Sequence, residues 1–243
     1  MSATISPTAD GTSAVPRAAA RTAAGRIPAL WLALLATPIA ASANAPVLIL
    51  PDIATDLGTS TATASWLVTT FAWAMAVGTP LTAGLLRRFG IRAALHTGTL
   101  SVTFGVLVVS LAPWLPLLLV GRAAQAFGGA ALITVAMNLA GTVRRLGVVS
   151  AGFAMWGAVG PLAGSAIASA VSWRAALVVS AIGLLAVPAV ARHLAAGGGE
   201  HLRGGEEFDA RGAALLVATV TALVLLPHYA PAAAPAAVAA AGL

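Results

Sequence analysis

A chain of 243 residues with 59% hydrophobic and 8% charged side chains and a mean hydropathy of +0.95 cannot clothe a water-soluble surface, so most of its exterior must face lipid. The net charge of +6 comes from 13 arginines, with no lysine, against 7 acidic residues; the arginines cluster beside apolar runs, which points to membrane topology and away from nucleic acid. Cysteine is absent, which excludes disulfides, thiolate metal sites and cysteine nucleophiles.

A charge near the bilayer centre costs about 2.5–3.5 kcal/mol and a crossing takes about 20 apolar residues, so charge-free gaps mark candidate spans. Seven gaps occur, at 27–51, 57–86, 93–121, 123–143, 146–173, 175–191 and 212–243. Only Arg122 separates the third from the fourth, but the two together are too long for one helix, and Pro113, Trp114 and Pro116 supply a turn. Spans 1 to 7 are therefore expected near 28–51, 64–86, 93–112, 116–140, 147–171, 173–192 and 210–228. The fold class is all-α and polytopic. Barrel strands would alternate in short segments, whereas these runs are continuous and rich in Ala, Leu and Gly.

Residues 1–26, rich in Ala, Ser, Thr and Pro, read as a disordered tail. Span 1 imitates a secretory leader, with Arg17, Arg21 and Arg26 before an apolar core and small residues in AASANA. The run continues to Leu50, however, and Pro46 directly after Ala45 is a poor cleavage context. The chain thus divides into a tail (1–26), a six-helix bundle (27–193), a linker of mixed charge (194–209) and a seventh helix with an Ala-rich end (210–243).

Arg17, Arg21 and Arg26, then Arg87, Arg88 and Arg92, then Arg144 and Arg145, then Arg192, Arg203 and Arg211 all fall on one side of these spans. The other side holds Asp52, Asp56, the Pro–Trp turn and Arg174. By the positive-inside rule the N-terminus is expected in the cytoplasm, with the chain in the cell membrane. Trp31, Trp114 and Trp173 lie near span ends, where interfacial anchoring explains them.

Arg122 is the one charge inside a span, so it is the leading site candidate. Gln125 and Gly129 follow at i+3 and i+7 on one helix face, as expected where span 4 lines a substrate pathway. The competing expectation is that Arg122, only about six residues into its span, snorkels to the interface. In span 5, Gly160, Gly164 and Ala168 form a close-approach face, and Pro161 predicts a kink or hinge. No carboxylate lies in any span. His96, His193, His201 and His228 sit near span ends or in loops. Asp209 fits a helix N-cap, and no spacing suggests a metal site, a nucleotide loop, another cofactor site or an enzyme's catalytic set.

Over residues 40–215 the chain resembles the N-terminal half of a major facilitator superfamily transporter of the drug-efflux type. LPDIATDLGTSTATASWLVTTF resembles the stretch joining helices 1 and 2, matching at Pro51 and Trp66. LTAGLLRRFGIR resembles the signature loop between helices 2 and 3, matching at Arg88, Gly90 and Arg92. GRAAQAFGGAA resembles the helix 4 motif at Arg122, Gln125 and Gly128, and GPLAGS the helix 5 antiporter motif at Gly160, Pro161 and Gly164. SWR at 172–174 and FDARGAALL at 208–216 resemble the fourteen-helix branch. The resemblance implies efflux of small organic molecules by alternating access, with Arg122 and Gln125 lining the cavity. It also implies a gating loop of Arg87, Arg88, Gly90 and Arg92, and a helix 5 hinge at Gly160, Pro161 and Gly164.

The departures bear on mechanism. The loop's leading Gly is Ala83 and its acidic residue is Arg87. Ser42 stands where the branch commonly has an Asp, and Ala126 replaces a Gly. Only the first half of such a transporter is recognisable, so the expected partners beyond the bilayer and a small organic substrate are a missing C-terminal half or a second copy. The alternative is a degenerate, non-transporting membrane module that needs a partner half.

Overall fold

A computed structural model describes residues 27–196 and 210–229, and every regular element among them is helical. In chain order these are α1 (Ala29–Asn44), a 3-10 turn (Ala45–Leu48), α2 (Leu50–Asp56), α3 (Thr61–Ala64), α4 (Trp66–Phe89), α5 (Ile91–Leu111) and α6 (Leu115–Ala140). Then come α7 (Val143–Ala170), α8 (Trp173–Leu177), a 3-10 stretch (Val179–Ala186), α9 (Val187–Ala196) and α10 (Ala210–Tyr229). The expected tail, most of the linker and the Ala-rich end lie outside the described residues.

Local chemistry sets the boundaries. Ser60, Thr142 and Ser172 each accept a hydrogen bond from the backbone N–H three residues on, capping α3, α7 and α8. Pro116 lies in the first turn of α6, where its missing donor costs nothing, and Gly141 ends that helix at φ 66°.

Among the described residues, four helical stretches are long and apolar enough to cross a membrane: Ala29–Leu48, Thr61–Leu111, Leu115–Ala140 and Val143–Ala170. The second holds 51 residues, about 77 Å at 1.5 Å per residue, far more than a bilayer needs. It breaks at Gly90, and both arms, α4 and α5, pack on α6, so it supplies two crossings. Val179–Ala195 and Arg211–Val224 are shorter apolar helices. The chain is a multi-pass membrane protein.

Two spans differ from the uninterrupted helices expected. Span 1 breaks after Asn44 because Pro46 and Pro51 each remove a ladder donor. Span 6 tightens to 3-10 geometry at its centre, where Gly183 comes against the Leu35 carbonyl of α1. The expected gating loop is also mostly helix: Arg87 and Arg88 occupy the last turn of α4, and Gly90 alone links it to α5.

Gly90 has φ 85° and ψ 173°, a region in effect open only to glycine. Nothing lies within 4 Å of the Cβ position, so a substitution there meets strain and no clash. Gly90→Ala is expected to cost about 1–3 kcal/mol, read as a lower thermal midpoint of the chain in detergent. An unchanged midpoint would mean the linker relaxes freely.

Packing is set by small residues. A Cβ on Gly105 would stand 2.6 Å from the Gln125 nitrogen, and one on Gly128 2.6 Å from the Val102 nitrogen, so α5 and α6 meet backbone to backbone. Leu100, Phe104, Leu107 and Leu111 recur along the opposite side of α5 and are exposed, the face expected to contact acyl chains. At one end of the bundle Arg92 Nη2 donates to the Leu194 carbonyl at 3.1 Å. At the other, Asp56 accepts from Trp173 Nε1 at 3.0 Å and pairs with Arg174 at 3.6 Å, while Arg174 Nη2 donates to the Ala112 carbonyl at 2.9 Å. Thus Arg92 and Leu194 share one end and Asp56, Ala112 and Arg174 the other, the grouping that alternating spans require. Helix α10 docks on α4, where Trp73 Nε1 donates to Thr221 Oγ1 at 2.9 Å.

Candidate functional site

The intramembrane arginine does not reach for the interface. Arg122 is fully buried, about two turns into α6 from Leu115, and its guanidinium turns inward onto α1. Nη2 donates to the Ser42 carbonyl at 3.0 Å, and Nη1 donates to Ser42 Oγ at 3.2 Å and to Gln125 Oε1 at 3.1 Å. Its face stacks on the Phe71 ring, 4.3 Å from the centroid, a cation–π contact from α4. Nε has no partner.

Proline and 3-10 geometry explain why these acceptors are free. In an unbroken helix the Ser42 carbonyl would receive the N–H of residue 46, but that residue is Pro46. The freed oxygen instead serves Arg122. Likewise Ala181 N–H bonds the Val178 carbonyl at 2.9 Å, in the tighter register. The Leu177 carbonyl then accepts from Ser42 Oγ and Gln125 Nε2, both at 3.2 Å. Arg122, Ser42 and Gln125 are thereby each matched to a carbonyl that a helix break releases, as a lipid-embedded structure demands.

The third case lies in α7. Pro161 leaves the Gly157 carbonyl without its helical donor, and Asn44 Nδ2, at the end of α1, donates to it at 3.1 Å. Asn44→Ala is expected to cost about 1–3 kcal/mol by leaving this carbonyl bare. Combining it with Pro161→Ala, which returns a backbone N–H, should recover most of that loss. Thermal midpoints of the two single variants and the double variant test the coupling; additive losses would disprove it.

Asn44 also borders a cavity of about 420 Å³ between α1, α4 and α7. Its wall includes Ala40 and Ala43 of α1, Phe71 and Met75 of α4, and Phe153 of α7. Apolar walls with a few polar groups, here Asn44 and Thr79, suit a small organic ligand. Phe71 belongs to both features: it lines the cavity and covers the guanidinium.

The sequence-predicted residues thus separate. Arg122 and Gln125 come together with Ser42, behind Phe71 and off the cavity wall. Gly129 is the point where α6 meets Ile39, whose Cγ2 is 2.6 Å from the Cβ position. Gly160 presses α7 onto Ala41 of α1, and Gly164 presses it onto Ala45 of the 3-10 turn that follows. Arg88 lies over the Phe89 ring at 5.3 Å, at the far end from the Asp56 cluster. Phe71, Asn44 and Leu177 were not anticipated. Asn44 had a readable cue, because Pro161 strands a carbonyl four residues earlier and an amide in a neighbouring span is a natural donor. Among the described residues no cluster of His, Cys, Asp or Glu could hold a metal.

The Major Facilitator Superfamily profile matches residues 30–240. The chloramphenicol resistance protein of Streptomyces lividans is 31% identical over 192 residues, covering 72% of this chain and 49% of that protein. The multidrug resistance protein B homolog of Mycobacterium tuberculosis is 35% identical over 127 residues, covering 49% and 23%. The uncharacterized MFS-type transporter YhcA of Bacillus subtilis is 36% identical over 89 residues, covering 37% and 17%. The chain spans about half the length of these relatives, or less. With the family profile covering most of the chain and the helix 4 and helix 5 motifs at the centre of its packing, this protein belongs to the Major Facilitator Superfamily.

Proposed function

We propose that the protein exports small organic compounds across the cell membrane by alternating access, with its N-terminus in the cytoplasm. The observation that carries this reading is the apolar cavity between α1, α4 and α7, which adjoins the buried Arg122–Ser42–Gln125 cluster. Substrate rests against α4 and α7, and a second six-helix body, in the same chain or a second copy, supplies the opposite wall. Gly160, Pro161 and Gly164 let α7 bend against α1. Arg87, Arg88, Gly90 and Arg92 form the cytoplasmic hinge between α4 and α5. The names of the Streptomyces and Mycobacterium relatives favour antibiotics as cargo, with chloramphenicol the first to test.

The second reading is a membrane module without transport of its own, favoured by Ser42 and Arg87 at positions where the resemblance implies carboxylates. Accumulation of labelled chloramphenicol and of nalidixic acid in drug-sensitive bacteria expressing the chain separates the two. Export lowers accumulation relative to empty vector, and Met75→Trp, which fills the cavity, restores it. Equal accumulation with and without well-inserted chain would support the second reading.

A further inference from the structure

We infer that Arg122 is the recognition group for an acidic substituent on the substrate, and that the Phe71 ring is the gate that admits that substituent from the cavity. This rests on the cavity being the substrate site. Every acceptor around the guanidinium is neutral: a hydroxyl, a backbone carbonyl and a side-chain amide. Among the described residues no carboxylate touches Arg122, and its Nε is buried without a partner. The charge is therefore enclosed, without a counter-ion and one acceptor short, which is the state of a site awaiting an anion.

The cavity offers the anion an approach. Phe71 packs its face on the guanidinium at 4.3 Å and also lines the 420 Å³ cavity, so a single ring stands between the positive charge and the ligand space. While the ring is in place its π face partly satisfies the cation. When the side chain swings aside, a carboxylate entering from the cavity gains a charge-assisted hydrogen bond that no protein group provides. The ammonium form of the same skeleton meets an unscreened positive charge and is rejected. Ser42 Oγ and Gln125 hold the guanidinium in position through the Leu177 carbonyl, so the site is preorganised. The substrate class is a small aromatic or aliphatic body, matching the apolar wall, bearing one carboxylate.

Equilibrium dialysis of the full chain in nanodiscs against 2-naphthoate, 2-naphthamide and 2-naphthylmethylammonium tests this directly. Naphthoate should bind at least tenfold more tightly than the amide, and the ammonium most weakly. Arg122→Gln should bring naphthoate and naphthamide to within about twofold of each other. Phe71→Ala should preserve or increase the preference for naphthoate and make Arg122 reactive towards phenylglyoxal, to which the parent is closed. Circular dichroism and monodispersity confirm that each variant is folded; if Arg122→Gln does not fold, Phe71→Ala with phenylglyoxal mapping decides alone. Equal binding of amide and carboxylate, a preference that persists in Arg122→Gln, or an Arg122 still sealed in Phe71→Ala would each overturn the inference and leave the cavity reading standing. Binding of none of the three probes would remove both.

Discussion

Replacing Arg122 with methionine is expected to leave the chain at least as thermally stable as the parent while reducing export of a carboxylate-bearing drug such as nalidixic acid at least tenfold. The guanidinium is fully buried, and holding an ion out of water costs several kcal/mol even after relaxation. Its compensation is three hydrogen bonds to neutral acceptors and one aromatic face. Methionine fills much of the same space with a flexible apolar chain. It leaves the Ser42 carbonyl and Gln125 Oε1 without a donor, at about 1–3 kcal/mol each, which the several kcal/mol of desolvation it relieves offsets. Ser42 Oγ and Gln125 Nε2 keep their bonds to Leu177. Alanine differs, because it removes the charge and also opens a void beside Phe71 and Ser42, for a loss of about 2–5 kcal/mol. Thermal midpoints from tryptophan fluorescence in detergent, paired with drug accumulation in cells, measure both properties. If methionine lowers the midpoint as far as alanine does, Arg122 is a structural strut and the site lies elsewhere.

The membrane architecture was legible because insertion energetics are written one residue at a time. Charge-free gaps and the Pro113–Trp114 turn needed no knowledge of the fold, and most of the helix boundaries follow them to within a few residues. The site was legible only in part. Arg122 announced itself as the charge in an apolar run, and Gln125 by helical spacing, but Ser42 lies 80 residues away and Phe71 belongs to a third helix. No periodicity links such groups; only packing brings them together. The 3-10 centre of span 6 was hidden for a related reason: its cause is the close approach of Gly183 to α1, a tertiary constraint that overrides helix preference. Asp56 and Arg174 were noticed as isolated charges at one end of the bundle. Their pairing through Trp173 follows from the return of span 6 beside α2, which the sequence pattern alone does not specify.

The seam between α1 and α7 carries the second large expected effect. Gly157, Gly160 and Gly164 lie on one side of α7, and the space beside them narrows along the helix. A Cβ on Gly157 would find its nearest neighbour, Asn44 Nδ2, at 3.7 Å, an ordinary contact. On Gly160 it would meet the Ala41 carbonyl oxygen at 2.8 Å, and on Gly164 it would overlap the Ala45 carbonyl, with Ala45 Cα at 2.7 Å. The last two obstacles are backbone, which cannot turn aside as a side chain can. Gly157→Ala is therefore expected to be tolerated, gaining up to about 1 kcal/mol from helix propensity. Gly164→Val should lose about 3 kcal/mol, at the upper end of overpacking costs, because α7 must lift from the 3-10 turn that follows α1. Lifting α7 also widens the cavity bordered by Phe153 and Gly157 and lengthens the Asn44 bond that satisfies the kink. Export should therefore fall further in Gly164→Val than the loss of folded chain accounts for. Accumulation assays normalised to inserted protein, run beside thermal midpoints for the Gly157→Ala, Gly160→Ala and Gly164→Val series, read this gradient. A flat series would mean that the two helices are not held in contact in the membrane, and that α7 moves as a loosely packed element with no pivot at this seam.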